Sequence, residues 1–317
     1  MRRFIIGTDW WTDCDDAVAM RLAAYAVKQE ELEILGIVIN ACMEHSVASV
    51  DGFFQLEGVP TPPLGLDFAA DDFGGRPPYQ ARLAKYAARY RANEDAEDAV
   101  RLYRRLLAAA ETPVEMVEVG YLNAVAALLL SEGDDISPLT GRELVASKVS
   151  RMWIMAGKWD EPEGRENNFS RNGRAAAAGH IVCRDCPVPI TFLGFEVGQS
   201  VISGDWLRFS DPLHAVLCDH KSPDGRSSWD PMLLLAALAG DPAAAGYDEV
   251  KGYASVDPET GVNTFRDDPQ GPHGYLVKQH EDDYYAWQIN IRLASSSARI
   301  RRRRVRRKAK KTSKNGL

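Results

Sequence analysis

Four aspartates, Asp9, Asp13, Asp15 and Asp16, fall within eight positions of the segment IIGTDWWTDCDDAVAM, residues 5 to 20. Carboxylates this close repel one another, and burying one without a partner costs several kcal/mol. A bound cation removes that cost, and oxygen-only ligands select Ca²⁺ or Mg²⁺ over zinc or copper. Helix capping is the simpler alternative: Asp15 and Asp16 suit the first turn of the helix beginning AVAMRLAA. Capping accounts for those two acids and leaves Asp9 and Asp13 unexplained. An EF-hand loop is excluded, because no frame from Asp9 or Asp13 supplies both the glycine at position six and the glutamate at position twelve. A phosphatase-type Asp-x-Asp is disfavoured, since WWT rather than a strand precedes Asp13.

The elements that must hold these acids follow from hydrophobic periodicity. The runs RFIIG, EILGIVIN, VEMVEVG, SRMWIMAG and VPITFLGFE read as strands. Between them DDAVAMRLAAYAVKQ, QARLAKYAARYRA, DAVRLYRRLLAAA, LNAVAALLLSEG and NGRAAAAGHIVC read as helices, while 60–77 and 158–168 read as loops. The alternation predicts an α/β fold with a mainly parallel open sheet flanked by helices. Ligands in such sheets bind beyond the carboxyl ends of the strands. The residues delivered there are Asp9, Asn40, Gly120 with Asn123, Gly157 and Glu196.

Here the aspartate segment resembles a known pattern. GTDWWTDCDDA is similar to the amino-terminal signature of the inosine-uridine preferring nucleoside hydrolase family, in its longer form Asp-Thr-Asp-x-Gly-x-Asp-x-Asp-Asp-Ala. Six further segments agree in order: VEVGYLNAVAALL, ISPLTGRELVASKVSRMWIMAGKW, ENNFSRNGRAAA, PITFLGFEVG, GRSSWDPMLLLAAL and GVNTFRDDPQGPH. The resemblance spans residues 3 to 290 and identifies a divergent member. It implies a Rossmann-like nucleoside hydrolase fold, one bound Ca²⁺ and hydrolysis of the N-glycosidic bond of a nucleoside or related N-riboside to free base and ribose. It further implies that Asp9 is a metal ligand and takes a proton from the attacking water. Asp16 and Asp230 would be metal ligands, and Asn123 would offer its backbone carbonyl. Asp15, Glu166 and Asn168 would hold the sugar, with Trp229 in the substrate pocket. Members are usually dimers or tetramers, so a homo-oligomer is expected.

Three positions depart from the family pattern. Gly7 stands where the signature has its first aspartate, so one supporting carboxylate is missing. Trp11 replaces the turn glycine, which alters the loop if that glycine had positive φ. Trp229 replaces a histidine thought to protonate the leaving base, so another donor or a better leaving group is required. His45, His214 and His273 are the substitutes considered. Trp10, Trp11 and Trp229 offer stacking surfaces, against the alternative of packing on the sheet. Asn40 lies near, and out of register with, the family's asparagine after the second strand; Lys158 and Glu161 lie in a loop able to close over a ligand. These departures motivate a rival reading: a catalytically impaired homologue that binds a ribose-containing ligand as a sensor or scaffold.

Composition sets the remaining bounds. The chain has 317 residues, 45% of them hydrophobic, enough for a substantial core. No run approaches the ~18 to 20 apolar residues of a membrane span, and MRRFIIG is too short for a secretory signal, so a cytoplasmic protein is expected. Five cysteines, an odd number, argue against a disulfide framework, and CRDC has no second pair to complete a zinc site. The net charge of −7 divides unevenly: residues 299–314 contain eleven Lys or Arg and no acid, and removing those charges leaves −18 on the remainder. Residues 1–293 are therefore read as the catalytic domain and 294–317 as a disordered basic tail. The tail would contact nucleic acid, an anionic membrane or another polyanion, or act only as a solvated extension.

Overall fold

The structure is a computed structural model that describes residues 1–11 and 13–295. The first half alternates β1 (Arg2–Thr8), α1 (Asp15–Lys28), β2 (Leu32–Ile39), α2 (Ser46–Glu57), β3 (Leu64–Leu66), α3 (Gln80–Leu83), β4 (Glu97–Asp98) and α4 (Ala99–Ala109). The middle continues with β5 (Val114–Glu118), α5 (Asn123–Leu130), α6 (Gly141–Lys148), β6 (Val149–Met155), α7 (Asn167–Ser170), α8 (Gly173–Asp185) and β7 (Ile190–Leu193). Then come α9 (Phe195–Gly198), β8 (Ile202–Ser203), α10 (Pro212–Asp219), β9 (Arg226–Ser227) and α11 (Trp229–Ala239). Three strands close the sheet: β10 (Tyr247–Val256), β11 (Asn263–Asp267) and β12 (His273–Lys278).

Ten strands form one sheet in the order β11-β10-β12-β7-β6-β5-β1-β2-β3-β4. All neighbours are parallel except β10, which runs antiparallel to both β11 and β12. Side chains of β1 alternate between two cores, as the period of two requires. Phe4 and Ile6 pack with α1, α2 and α11, whereas Ile5 packs with α4, α5, α6 and α8. Burial on both faces explains why the β1 run is continuously apolar.

The chain leaves β1 toward β2, β3 and β4, then returns to lay β5 on the other side of β1. The strand order therefore reverses between β1 and β5, the place where an open α/β sheet presents a crevice at its carboxyl edge. Asp9 directly follows β1 there, and Gly120 follows β5. A Cβ on Gly120 would lie 2.2 Å from the Asp9 backbone nitrogen, so only glycine lets the two chain segments meet.

Two expectations are corrected. Residues 80–92 were expected to be one helix, but α3 ends at Leu83 and gives way to a single 3₁₀ turn, Ala84–Tyr86. The cause is distant in sequence: Asp51 Oδ2 accepts the backbone N–H groups of Ala88, Arg89 and Tyr90 at 2.7, 2.7 and 3.0 Å, donors that a continuing helix would need. The expected loop 60–77 also contains β3, paired in parallel with β2. No helix among the described residues is long and apolar enough to cross a membrane. The expected basic tail falls, from residue 296 onward, outside the described residues.

Candidate active site

A cavity of about 360 Å³ opens at the β1/β5 reversal. Seven of the eight residues expected to form a site line it: Asp9, Asp15, Asp16, Glu166, Asn168, Trp229 and Asp230. Asn123 does not line it. It starts α5, with its Nδ2 donating to the Asn40 carbonyl at 3.1 Å and to Asp67 at 2.6 Å, and its Oδ1 buried without a partner.

Two helix N-termini assemble the carboxylates. Asp15 and Asp16 begin α1, Asp230 lies in the first turn of α11, and the Asp230 N–H donates to Asp15 Oδ2 at 3.3 Å. Oxygens of Asp15, Asp16 and Asp230 all lie within 4.8 Å of one another, on buried residues. Thr8 donates its hydroxyl to Asp16 Oδ1, which also accepts the Trp10 N–H at 3.2 Å. Asp9 Oδ1 accepts the Trp11 N–H at 3.2 Å.

Burial, then the charge of Asp15, pushes the Asp9 carboxyl up to about 7. Asp15, Asp16 and Asp230 are raised well above the carboxylate range, first by burial and then by their acidic neighbours. Helix dipoles favour the charges but do not cancel them. The donor set is all oxygen, crowded and short of positive charge, and a hard divalent cation fits it. Asp13 stands apart. Burial acts to raise its carboxyl, but the hydrogen bonds and charge of Arg226 outweigh this and lower it. The pair is bidentate, at 2.9 and 2.5 Å, so Asp13 is already neutralised.

Across the cavity β6 ends at Met155, and the chain returns through Glu166 into α7. The Glu166 carboxylate accepts the Asn168 N–H at 2.9 Å and the Gly157 N–H at 3.1 Å, while burial pushes it up to about 7. Asn168 is fixed by its Nδ2 bond to the Met155 carbonyl at 2.9 Å. These bonds pre-set two polar side chains facing the acidic cluster.

The tryptophans divide. Trp10, not Trp11, adopts the left-handed backbone, with φ of 48°. It is held there by its Nε1 bond to Ser49 at 2.8 Å and by edge contacts with Phe53 and Tyr79, so it is core. Trp11 lines the cavity, with Arg171 over its ring at 4.5 Å and Tyr121 tilted against it. Trp229 stacks on Phe195 at 5.3 Å and donates its Nε1–H to the Phe195 carbonyl at 2.7 Å. Its N–H is therefore committed and cannot protonate a leaving base.

None of the histidines considered as substitutes lines the cavity. His45 precedes α2 and is partly exposed, His214 sits against Cys218, and His273 accepts the Ala254 N–H in the antiparallel edge of the sheet. Asn40 supports the site from behind, accepting the Tyr121 N–H at 3.0 Å. Glu196 faces Trp159 and lies off the cavity. Lys158 pairs with Glu161 in the loop after β6, and neither lines the cavity. Sequence reading missed Arg165, Arg171, Arg226 and Phe195, which do line it. Their signal was only proximity: Arg171, Arg226 and Phe195 lie within segments already singled out, and Arg165 directly precedes one.

No protein-family model and no curated protein matches the sequence. Solved structures do match in fold. A purine-preferring ribonucleoside hydrolase from Gardnerella vaginalis superposes with TM-score 0.68 at 18% identity, covering 93% of this chain and 99% of that one. An inosine-uridine preferring nucleoside hydrolase from Bacillus anthracis gives 0.60 at 16% identity, covering 93% and 99%. The type III effector protein XopQ, solved with adenosine diphosphate ribose, gives 0.64 at 15% identity, covering 93% and 94%. The chain thus has the nucleoside hydrolase fold over nearly its whole length.

Proposed function

We propose that this protein hydrolyses the N-glycosidic bond of a nucleoside or related N-riboside, releasing free base and ribose. The observation that carries the proposal is the meeting of buried Asp15, Asp16 and Asp230 beside Asp9, at the sheet's strand-order reversal. Asp9, Asp16 and Asp230 would hold the cation, which the family resemblance gives as Ca²⁺; the resemblance adds the carbonyl of Asn123, which starts α5 and does not line the cavity. Such an ion, when bound, makes a water more acidic and orients it. Asp9 accepts that water's proton, the role the family resemblance implies for it. Asp15, Glu166 and Asn168 hold the ribose hydroxyls. As the bond to the base stretches, positive charge develops on the sugar, and the surrounding carboxylates stabilise it. The resemblance adds a homodimer or homotetramer as the assembly.

A second reading, a ribose-ligand binder with impaired catalysis, is favoured by one observation: the Trp229 N–H is committed and no histidine lines the cavity. XopQ, which shares the fold, was solved with adenosine diphosphate ribose. Release of base and reducing sugar from a panel of nucleosides, with and without Ca²⁺, separates the two. Hydrolysis predicts Ca²⁺-dependent release that Asp9→Ala abolishes. Ligand-induced stabilisation with no release supports the binder.

A further inference from the structure

We infer that the N-riboside taken by this cavity carries an anionic group of the phosphate class, held by Arg165 and Arg171 beside the sugar. The inference rests on reading the site as an N-riboside pocket and narrows its substrate. A divalent cation offsets two of the four clustered aspartates, and a neutral nucleoside offers guanidinium groups no anionic partner of its own. Yet Arg165, Arg171 and Arg226 all line the cavity.

Only one of the three is neutralised by a carboxylate there. Arg226 is engaged bidentately by Asp13. Arg171 donates from Nε and Nη2 to the Phe73 carbonyl at 3.2 and 2.8 Å, and stacks on Trp11. These contacts fix its plane without giving it a carboxylate partner, and both Arg171 and Arg165 are solvent-exposed where they line the cavity. Arg165 has no hydrogen bond or ion pair among the described residues. Both leave Glu166 to backbone donors, although Arg165 precedes it directly.

Position identifies what these groups meet. Arg165 and Arg171 flank Glu166 and Asn168, the pair assigned to the ribose, at the two ends of the α7 segment. Planar guanidinium forks match phosphate oxygens, and stacking on an aromatic ring pre-orients one of them. The anion therefore belongs on the sugar, as in a nucleoside 5′-phosphate or the ribose 5′-diphosphate part of a larger nucleotide.

The test compares a nucleoside with its own 5′-monophosphate in the presence of Ca²⁺, so the base is constant. The phosphate is expected to raise kcat/KM about ten-fold or more, with the margin shrinking as salt rises. In Arg165→Gln/Arg171→Gln, checked for an unchanged melting temperature, that ratio falls toward one. Equal rates in the unaltered protein, or a slower 5′-phosphate, would overturn the inference. If neither compound is hydrolysed, the proposed activity fails and thermal shift decides the substrate question separately. Ribose 5-phosphate should then stabilise the protein more than ribose or inorganic phosphate does, and the double variant should lose the difference; equal shifts would overturn it. Arms with the monophosphate and with a diphosphate-linked nucleotide distinguish the two sources of the anion.

Discussion

The carboxylate of Glu118 fills the space that a side chain at Gly7 would occupy: a Cβ on Gly7 would lie 1.6 Å from Glu118 Oε2. The two residues are register partners on β1 and β5. The acid missing from the first position of the aspartate signature thus has a counterpart one strand over, its Oε1 accepting the Tyr103 hydroxyl at 2.8 Å. Gly7→Asp alone should destabilise the protein by ~3 kcal/mol or more, through overpacking and a second buried acid. Gly7→Asp with Glu118→Ala should recover most of that loss. Equilibrium unfolding of the two single variants and the double variant measures the coupling.

Burial, opposed by the Tyr103 hydrogen bond, pushes Glu118 up to about 8. A raised carboxyl favours folding below its unfolded value and loses that contribution as pH climbs through the folded value. Glu118→Gln should therefore be close to neutral at pH 5 and stabilising at pH 9. Melting temperatures at both pH values test the sign, and a variant equally affected at each would contradict it.

His273 titrates in the opposite sense. Burial, and then Lys251, lower it to about 4, and its Nδ1 must remain unprotonated to accept the Ala254 N–H. The depressed value gives stability that is present above the unfolded histidine pKa and is lost as pH falls from about 6.5 toward 4, a window worth up to ~3 kcal/mol. His273→Gln should flatten unfolding free energy across that window.

With no histidine lining the cavity and the Trp229 N–H committed, no imidazole is placed to protonate the departing base. General acid catalysis contributes roughly 10² to 10⁴ in rate. A pyridinium N-riboside, whose base departs neutral without protonation, should therefore react faster than a purine riboside by about that factor. Equal rates would reveal a proton donor.

The acidic cluster was legible in the sequence because four aspartates fall within eight positions. Asp15 and Asp16 open a helix that the apolar pattern marks, whereas Asp230, at the start of α11, was reached only through the family resemblance. The arginines were not legible, since an arginine in a loop reads as solvated; Arg165 and Arg171 do stay exposed, and only the fold brings them to the edge of the cavity. The truncated helix after Gln80 was hidden because its competitor, Asp51, lies on another helix. β10 to β12 went unread because their burial is broken by polar, half-exposed positions at the sheet edge. Glu118 drew no reading of its own from the sequence, yet it is fully buried between β1 and α4.

The central claim is that the buried carboxylates form a metal-dependent hydrolytic centre. Calcium add-back to metal-stripped protein tests it most directly, with melting temperature and base release followed in one titration. Base release should saturate with occupancy of the site, while stability should keep rising with the logarithm of Ca²⁺, reaching ~2.7 kcal/mol at a hundred-fold excess over the same dissociation constant. Asp16→Asn and Asp230→Asn should weaken both responses together. Base release that ignores Ca²⁺, or Ca²⁺ binding unaffected by either substitution, would contradict the account.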